Sequence, residues 1–594
     1  MRLKDLEVIV FDCQAAGSNP NTGALLEMGW MKTRAADAFD SEQISQRIEA
    51  YLIKPPADFA IPQRILKMTG IKSDELNHSV TPGAVWQKLR RRAQETAECN
   101  RLPLCPAVIH FSRYEEPFLR HLHKEYSPRE NFPFQILCTH DLVKLLLPGL
   151  PRKGLRAVAG YFGQSISVHR RSRNHVGATA FIWHNLIHTL SNSWGIGTVK
   201  DFEEWLEHPP PVSRVRNGRE YPMERELRSN MPEGPGIYKM YRSNGDILYV
   251  GKAKSLKSRV NSYFQKRSRH SEHILEMLTQ AQHIITEPTE TALEAALKES
   301  DEIKYLSPPY NIALQERERR VVFFSKNLRS CNENPCRHHN IGPFSTQKFM
   351  TSIAKMTELL NENETLSIES PAIQEILGSP QEFAPDEKCF AKGIQMFKEE
   401  FIDKTQGHFS HSSLLKLGSL FWKERLDERI ASELAIEDLS KEDEDSAFEL
   451  EAEEGTTGLP SWSPEKVARA LKSIIRTGAH QARRARWFCR LSESTVAWDD
   501  KIRKSKERHV IVFEQGKIYS VDKLESMTKK PIPPGFAKPH RERQKNMDLR
   551  AFDRMRVLTT ELKRLSAEKR GLEVCFGPQI ILKDEQLQRI LKWV

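Results

Sequence analysis

The apolar run Val8-Ile9-Val10-Phe11, closed by Asp12, reads as a buried strand that delivers a carboxylate at its end. Helical spacing near Pro82 to Ala97, a strand at Ala107-Val108-Ile109-His110, a helix through Phe118 to Leu122 and a closing helix from Ala178 to Leu190 continue in the α/β manner. This predicts a first α/β domain over 1–195 and a linker over 196–226, where Pro209-Pro210-Pro211 breaks any helix. A small α/β unit follows over 227–314. It opens with β-like runs Lys239-Met240-Tyr241 and Ile247-Leu248-Tyr249-Val250 around Asn244-Gly245, a hairpin signal with room for a loop longer than two residues. Residues 315–430 read as mixed and mostly helical, with Ile353, Met356, Leu359 and Leu360 at helical spacing. An acidic linker is expected over 431–458, and a C-terminal α/β domain of unknown role over 459–594, starting a helix at Ser463-Pro464-Glu465 and ending on a strand near Leu572 to Phe576 and a short amphipathic helix.

The 594 residues, at roughly 150 per domain, fit this multidomain division. A hydrophobic fraction of 39% with 28% charged residues suits a core-forming protein. The mean hydropathy of −0.56 and the lack of a long apolar run exclude a membrane span. Acids at the start of the chain argue against a signal peptide, and nine cysteines without a Cys-x-x-Cys form no disulfide framework, so a cytoplasmic location is expected. Lys and Arg number 90 against 79 Asp and Glu, a surplus of 11 with a pI near 9.0. That surplus is uneven. Ile247 to Ser271 contains no acid but carries Lys252, Lys254, Lys257, Arg259, Lys266, Arg267 and Arg269, a phosphate footprint. Glu437 to Glu454 is dominated by acids and reads as solvated linker, or as a mimic of nucleic acid shielding a basic groove.

Phosphodiester hydrolysis needs an activated water, charge balance at the scissile phosphate and help for the leaving alkoxide. Tyr249 and Lys252 flank a glycine turn, which sets a phenol and an ammonium on one patch. Arg259, seven after Lys252 on a predicted helix, falls on the same face, where its fork can hold a phosphate. Glu299, in the helical run Ala292 to Lys304, offers the hard oxygen that Mg²⁺ prefers. Gly236-Ile237-Tyr238 precedes Tyr249-Val250-Gly251 by eleven residues, followed by Lys252, Arg259, Ser262-Tyr263-Phe264, Glu299 and Pro309-Tyr310-Asn311. In this set the unit resembles the GIY-YIG nucleases of the UvrC/Cho type. The resemblance implies one Mg²⁺ or Mn²⁺ on Glu299, Tyr249 as general base, Tyr238 and Tyr263 supporting water and phosphate, Lys252 and Arg259 stabilising the transition state, and Asn311 positioning the site.

The first 190 or so residues resemble the proofreading-type DEDDh 3′ to 5′ exonucleases, of RNase H-like fold. Where that family places Asp-x-Glu this chain has Asp12-Cys13-Gln14; its middle aspartate is Glu115; its late His and Asp fall on His169 and Asn174. Two divalent ions need several carboxylates, and Gln14 and Asn174 are neutral, so an inactive, DNA-holding domain is expected. Cys331, Cys336, His338 and His339 have poor zinc spacing and read as an ordinary loop. No P-loop is visible, so ATP use is not expected. The resemblance as a whole implies single-strand incision of damaged double-stranded DNA on the 3′ side of a lesion, with a damage-recognition complex of excision repair as partner. A replicative or proofreading exonuclease and a non-catalytic DNA-binding scaffold are the competing expectations.

Overall fold

The computed structural model describes residues 1–72, 74–166, 170–209, 219–265, 270–316, 319–361, 370–377, 384–401, 408–431, 462–499, 508–524, 540–545, 547–577 and 580–594. His169, Lys266, Arg267, Arg269 and the acidic run 437–454 lie outside the described residues. Two compact units result: Met1–Ala295 with Pro308–Ile312, and Ala296–Ser307 with Ala313–Val594.

The first unit opens on a mixed sheet. β1 (Val8–Ala16) is buried along its whole length, as its apolar run requires. It pairs antiparallel with β2 (Ala24–Thr33) and parallel with β4 (Cys105–Ile109). β3 (Glu49–Leu52) and β5 (Phe134–Cys138) complete the order β3-β2-β1-β4-β5. Around it run α1 (Ser41–Arg47), α2 (Gln63–Thr69), α3 (Pro82–Asn100), α4 (Ser112–Tyr126), α5 (Thr139–Leu146), α6 (Leu155–Tyr161) and α7 (Ser172–Ser193). Alternation along β1 sends Val8 and Val10 to a core with Ile182, Trp183 and Leu186 of α7. Ile9 and Phe11 go to a second core with Trp86 of α3 and Phe118 of α4. Helices thus cover both faces, the RNase H-like exonuclease arrangement expected of this segment.

Part of the expected linker is not one. α8 (Val199–Glu207) starts on a capping box, the Thr198 hydroxyl accepting from Asp201 N at 3.2 Å and the Asp201 carboxylate accepting from Thr198 N at 3.1 Å. Its Phe202 is buried edge-on against Trp183 at 6.2 Å. The same unit then continues through α9 (Arg225–Ser229), β6 (Gly236–Tyr241), β7 (Ile247–Ala253), α10 (Leu256–Ser262), α11 (Glu272–Gln280), β8 (His283–Pro288) and the start of α12 (Ala292–Leu306). β6 is central in an antiparallel sheet of order β7-β6-β8. The hairpin loop turns at Gly245, φ +87°, with the Asn244 side chain accepting from Asp246 N at 3.0 Å. α11 rests on α6: Arg152 N donates to Thr279 Oγ1 at 3.1 Å and Gln282 Nε2 to the Tyr161 carbonyl at 2.8 Å.

In the second unit, β9 (Val322–Ser325), β10 (Cys331–Asn332) and β11 (His339–Phe344) form a small sheet, followed by α13 (Lys348–Asn361), α14 (Ser370–Leu377), α15 (Glu387–Phe401), α16 (His411–Ala431) and α17 (Pro464–Leu491). α17 ties together two segments expected to be separate domains. Its Val467, Leu471, Ile474 and Ile475 share one core with Ile353 of α13, Phe390 and Phe397 of α15, and Leu414 and Leu417 of α16. Beyond it, β12 (Thr495–Asp499), β13 (Arg508–Glu514), β14 (Lys517–Leu524), β15 (Glu573–Phe576) and β16 (Ile580–Lys583) form an antiparallel sheet of order β14-β13-β12-β15-β16. α18 (His540–Lys545), α19 (Leu549–Ala567) and α20 (Asp584–Leu591) complete the unit. Among the described residues no helix is long and apolar enough to cross a membrane.

Candidate active site

Three tyrosines converge beside the β6–β7 hairpin. In the antiparallel register Tyr238 stands opposite Gly251, and a Cβ at Gly251 would meet the Tyr238 hydroxyl at 2.4 Å and the Tyr249 ring at 2.8 Å. Only glycine leaves the space these phenols occupy. Tyr238 is fully buried, and its hydroxyl lies 3.0 Å from that of Tyr263. Arg259 Nη2 donates to the Tyr263 hydroxyl at 3.2 Å, and its guanidinium lies 5.0 Å from the ring centre. Tyr249 is half-buried, its ring 6.1 Å from that of Tyr238.

Electrostatics sets the state of the innermost phenol. Burial, then the neighbouring Tyr249 and Tyr263, pushes Tyr238 well above the usual tyrosine range, so it stays a neutral hydroxyl. Burial works against the charge of Arg259, but the phenols of Tyr238 and Tyr263 outweigh it and raise its pKa. A permanent cation therefore stands behind a chain of hydroxyls, a suitable arrangement for a phosphate oxygen.

Asn311 explains itself by geometry. Its Nδ2 donates to the Val250 carbonyl and its Oδ1 accepts from Val250 N, both at 2.9 Å. β7 is an edge strand, and this amide pair replaces the missing neighbour at the residue between Tyr249 and Gly251. A support the sequence does not flag lies behind it: buried Arg242 donates to Gln280 Oε1 at 3.0 Å, and the Tyr310 hydroxyl donates to Glu276 Oε1 at 2.7 Å. An arginine beside an Asn-Gly turn reads as loop, which conceals it.

The expected shared helix face of Lys252 and Arg259 does not exist. Lys252 lies on β7, opposite Ile237, and α10 begins at Leu256 once the Ser255 hydroxyl accepts from Ser258 N at 3.3 Å. Lys254 is exposed, and Lys257 reaches out of the acid-free run to Glu233 at 3.1 Å. Glu299 is half-buried on α12, in the segment Ala296–Ser307 that belongs to the second unit. A single glutamate carboxylate is a hard oxygen donor of the kind that Mg²⁺ or Mn²⁺ takes while keeping much of its hydration.

In the exonuclease-like site Asp12 is held by its neighbours, while one buried oxygen of Glu115 has no hydrogen-bond partner. Asp12 and Gln14 are buried on one face of β1, and Glu115 is buried in the first turn of α4. Asp12 Oδ2 accepts from Gln14 Nε2 at 2.8 Å, while Asp12 Oδ1 lies 3.0 Å from His175 Nδ1. Burial first, and then the Asp12 charge, pushes the Glu115 carboxyl well above the usual carboxylate range. Two divalent ions need several carboxylates, and beside Asp12 and Glu115 the amide of Gln14 and the ring of His175 bring no further acid, so these residues do not fit a two-metal centre. His175, not Asn174, is the α7 residue that faces Asp12; Asn174 is exposed. Placement one residue along a helix rotates a side chain by about 100°, and a gapped motif does not fix it.

Two further groups of cysteine, histidine and aspartate side chains lie outside these sites. Of Cys331, Cys336, His338 and His339, only Cys336 and His339 meet, Sγ to Nδ1 at 3.3 Å, and the other ring nitrogen of His339 engages Ser330 at 2.9 Å. Among the described residues, three metal-binding side chains gather at Cys138, His140 and Asp141, within 4.8 Å, with Asp141 already held by Lys144 at 2.7 Å.

Residues 234–312 match the family model of the UvrC-like GIY-YIG domain. UvrABC system protein C of Psychrobacter cryohalolentis is 48% identical over 92 residues, which is 16% of this chain and 15% of that protein. A putative bifunctional exonuclease/endonuclease protein of Mycobacterium tuberculosis is 26% identical over 320 residues, 52% of this chain and 45% of that protein. The magnesium-bound N-terminal GIY-YIG endonuclease domain of UvrC from Thermotoga maritima is 29% identical, covering 15% of this chain and 100% of that one at a TM-score of 0.14. The chain thus spans less than half the length of these two curated relatives. Residues 234–312 are thus a UvrC-like GIY-YIG domain, in a chain of which about half is similar to a putative bifunctional exonuclease/endonuclease protein.

Proposed function

We propose that the chain is a metal-dependent DNA endonuclease that makes a single-strand incision in excision repair, on the 3′ side of a lesion. The carrying observation is the Tyr238–Tyr263–Arg259 chain set against Gly251, inside the segment that matches the UvrC-like domain. Arg259 grips a non-bridging phosphate oxygen through its fork, and the hydroxyls of Tyr238 and Tyr263 orient the phosphate and the attacking water. Tyr249, the least buried of the three phenols, takes the proton from that water. Lys252 adds charge to the transition state, and Asn311 holds the strand on which both sit. Glu299 would bind Mg²⁺ or Mn²⁺, which supplies Lewis-acid charge neutralisation at the scissile phosphate. The exonuclease-like region, in which neutral Gln14 and the His175 ring stand around Asp12 in place of further acids, holds DNA without cutting it. Damaged duplex DNA is the substrate, and a damage-recognition complex of the kind the UvrABC name implies is the partner.

The test is nicking of an end-labelled lesion duplex by wild type, Tyr249→Phe and Glu299→Ala with Mg²⁺ or Mn²⁺. Both variants should lose at least about a hundredfold in rate. Nicking by Glu299→Ala at the wild-type rate would end the metal assignment. Stepwise mononucleotide release surviving that substitution would favour the exonuclease reading, and metal-independent binding with no cut would favour a scaffold.

A further inference from the structure

The helix that carries Glu299 is gripped from the C-terminal part of the chain. Lys304 and Asp553 are both fully buried, and Lys304 Nζ lies 2.9 Å from Asp553 Oδ2. Arg319 closes a bidentate pair on the same carboxylate, 2.8 Å to Oδ1 and 3.1 Å to Oδ2, and Arg556 stands 3.6 Å away. The next residue of α19, Arg554, places its Nε 2.8 Å and 3.0 Å from the two oxygens of Asp301. Asp301 and Lys304 are three apart, so α19 holds one face of α12 at two points. Lys304 also donates to Ser300 Oγ at 3.1 Å, bracing the turn next to Glu299.

Three cations on one buried anion form an unusual knot. A surface helix of a small nuclease unit needs no such device, because its apolar stripe suffices to dock it. Burying charge costs more than burying leucine unless each charge is paired, and what it adds is a single allowed register. At about 100° per residue, Glu299 lies roughly 140° around α12 from Lys304, so Asp553 does not compete for an ion there; it fixes the helix from another side.

We propose that Asp553 is a positioning residue of the nuclease: through Lys304, and with Arg554 on Asp301, it sets the place of Glu299 on α12. This rests on reading Glu299 as the metal ligand. Asp553→Asn in the full chain keeps the shape of the side chain but leaves three cations facing a neutral amide. Calorimetric titration of the DNA-free protein with Mn²⁺ should then show binding weakened about tenfold or more, the range for losing an indirect support of a ligand. The Mn²⁺ concentration for half-maximal nicking should move in parallel, and Asp553→Glu should restore part of both. A merely structural role would lower the amount of active protein and leave the Mn²⁺ affinity of the folded fraction alone. Should Asp553→Asn fail to fold, Arg554→Ala tests the second grip, with the same shift expected to a smaller degree. Wild-type Mn²⁺ affinity in the folded variants, with Glu299→Ala unable to bind Mn²⁺, overturns the positioning role alone. Wild-type binding and nicking by Glu299→Ala overturns the metal reading, and this proposal with it.

Discussion

At the scale of single residues, the site depends on where bulk is absent as much as on where charge is present. Gly251 is required by packing and not by backbone angle, since a methyl there would fall on the Tyr238 hydroxyl and the Tyr249 ring. Tyr238 sits in a buried cluster and half-buried Tyr249 packs against it, so room for a methyl has to come from shifting them. Gly251→Ala should therefore cost about 1–3 kcal/mol in urea unfolding, the usual range for overpacking, together with most of the nicking rate. Full rate in the variant would show that Tyr238 and Tyr249 need not hold this geometry. Arg259→Lys separates charge from shape at the same site. It keeps the cation and loses the planar fork, so turnover should fall while DNA binding in low salt changes little.

At the scale of elements, β7 shows how an edge strand is held without a neighbouring strand. Asn311→Ala strips both partners from Val250 inside the core, and each lost partner of a buried polar group costs about 1–3 kcal/mol. Hydrogen exchange of the Val250 amide should speed up in that variant and stay slow in Lys257→Ala, which loses only an exposed ion pair. Local pattern made much of this legible beforehand. The Asn-Gly hairpin, the uniformly buried β1 and the Ser463-capped α17 follow from short-range rules of turn chemistry, alternation and capping. What stayed hidden depends on partners far along the chain. α8 sits beside three prolines that read as linker, and only Trp183 reveals why Phe202 should be helical and buried. His175 is one helical step from the residue a gapped motif points to, and Lys304 meets Asp553 across more than two hundred positions. Spacing rules do not reach that far.

At the scale of the whole molecule, each of the two units contains a histidine kept neutral by its surroundings, and this sets how the protein responds to acid. His110 is buried between Thr139, 2.9 Å from Nδ1, and the Lys153 carbonyl, 3.1 Å from Nε2. The Nε2 side must carry hydrogen to reach that carbonyl, while the Thr139 hydroxyl at Nδ1 also reaches the Ile109 carbonyl at 3.2 Å. Burial first, and His140 next, pushes its pKa down to about 3. In the second unit His480 lies flat against Trp422 at 4.2 Å, and burial, followed by Arg484, Lys563 and Arg483, brings it to about 3 as well. In the unfolded chain both rings titrate near 6.5, so between that value and 3 the unfolded state binds the extra proton. Their contribution to stability is complete above pH 6.5 and is lost as pH falls toward 3. At pH 5 the loss is about 2 kcal/mol per ring, from 1.36 kcal/mol for each unit of pH below 6.5. Urea unfolding at pH 7.5 and 5.0, at one ionic strength, should show this drop, and His110→Gln should shrink it by about 2 kcal/mol because the amide has no proton to gain. An undiminished pH dependence in that variant would mean that His110 already carries its charge in the folded state, and that the acid sensitivity of the first unit arises from its carboxylates instead.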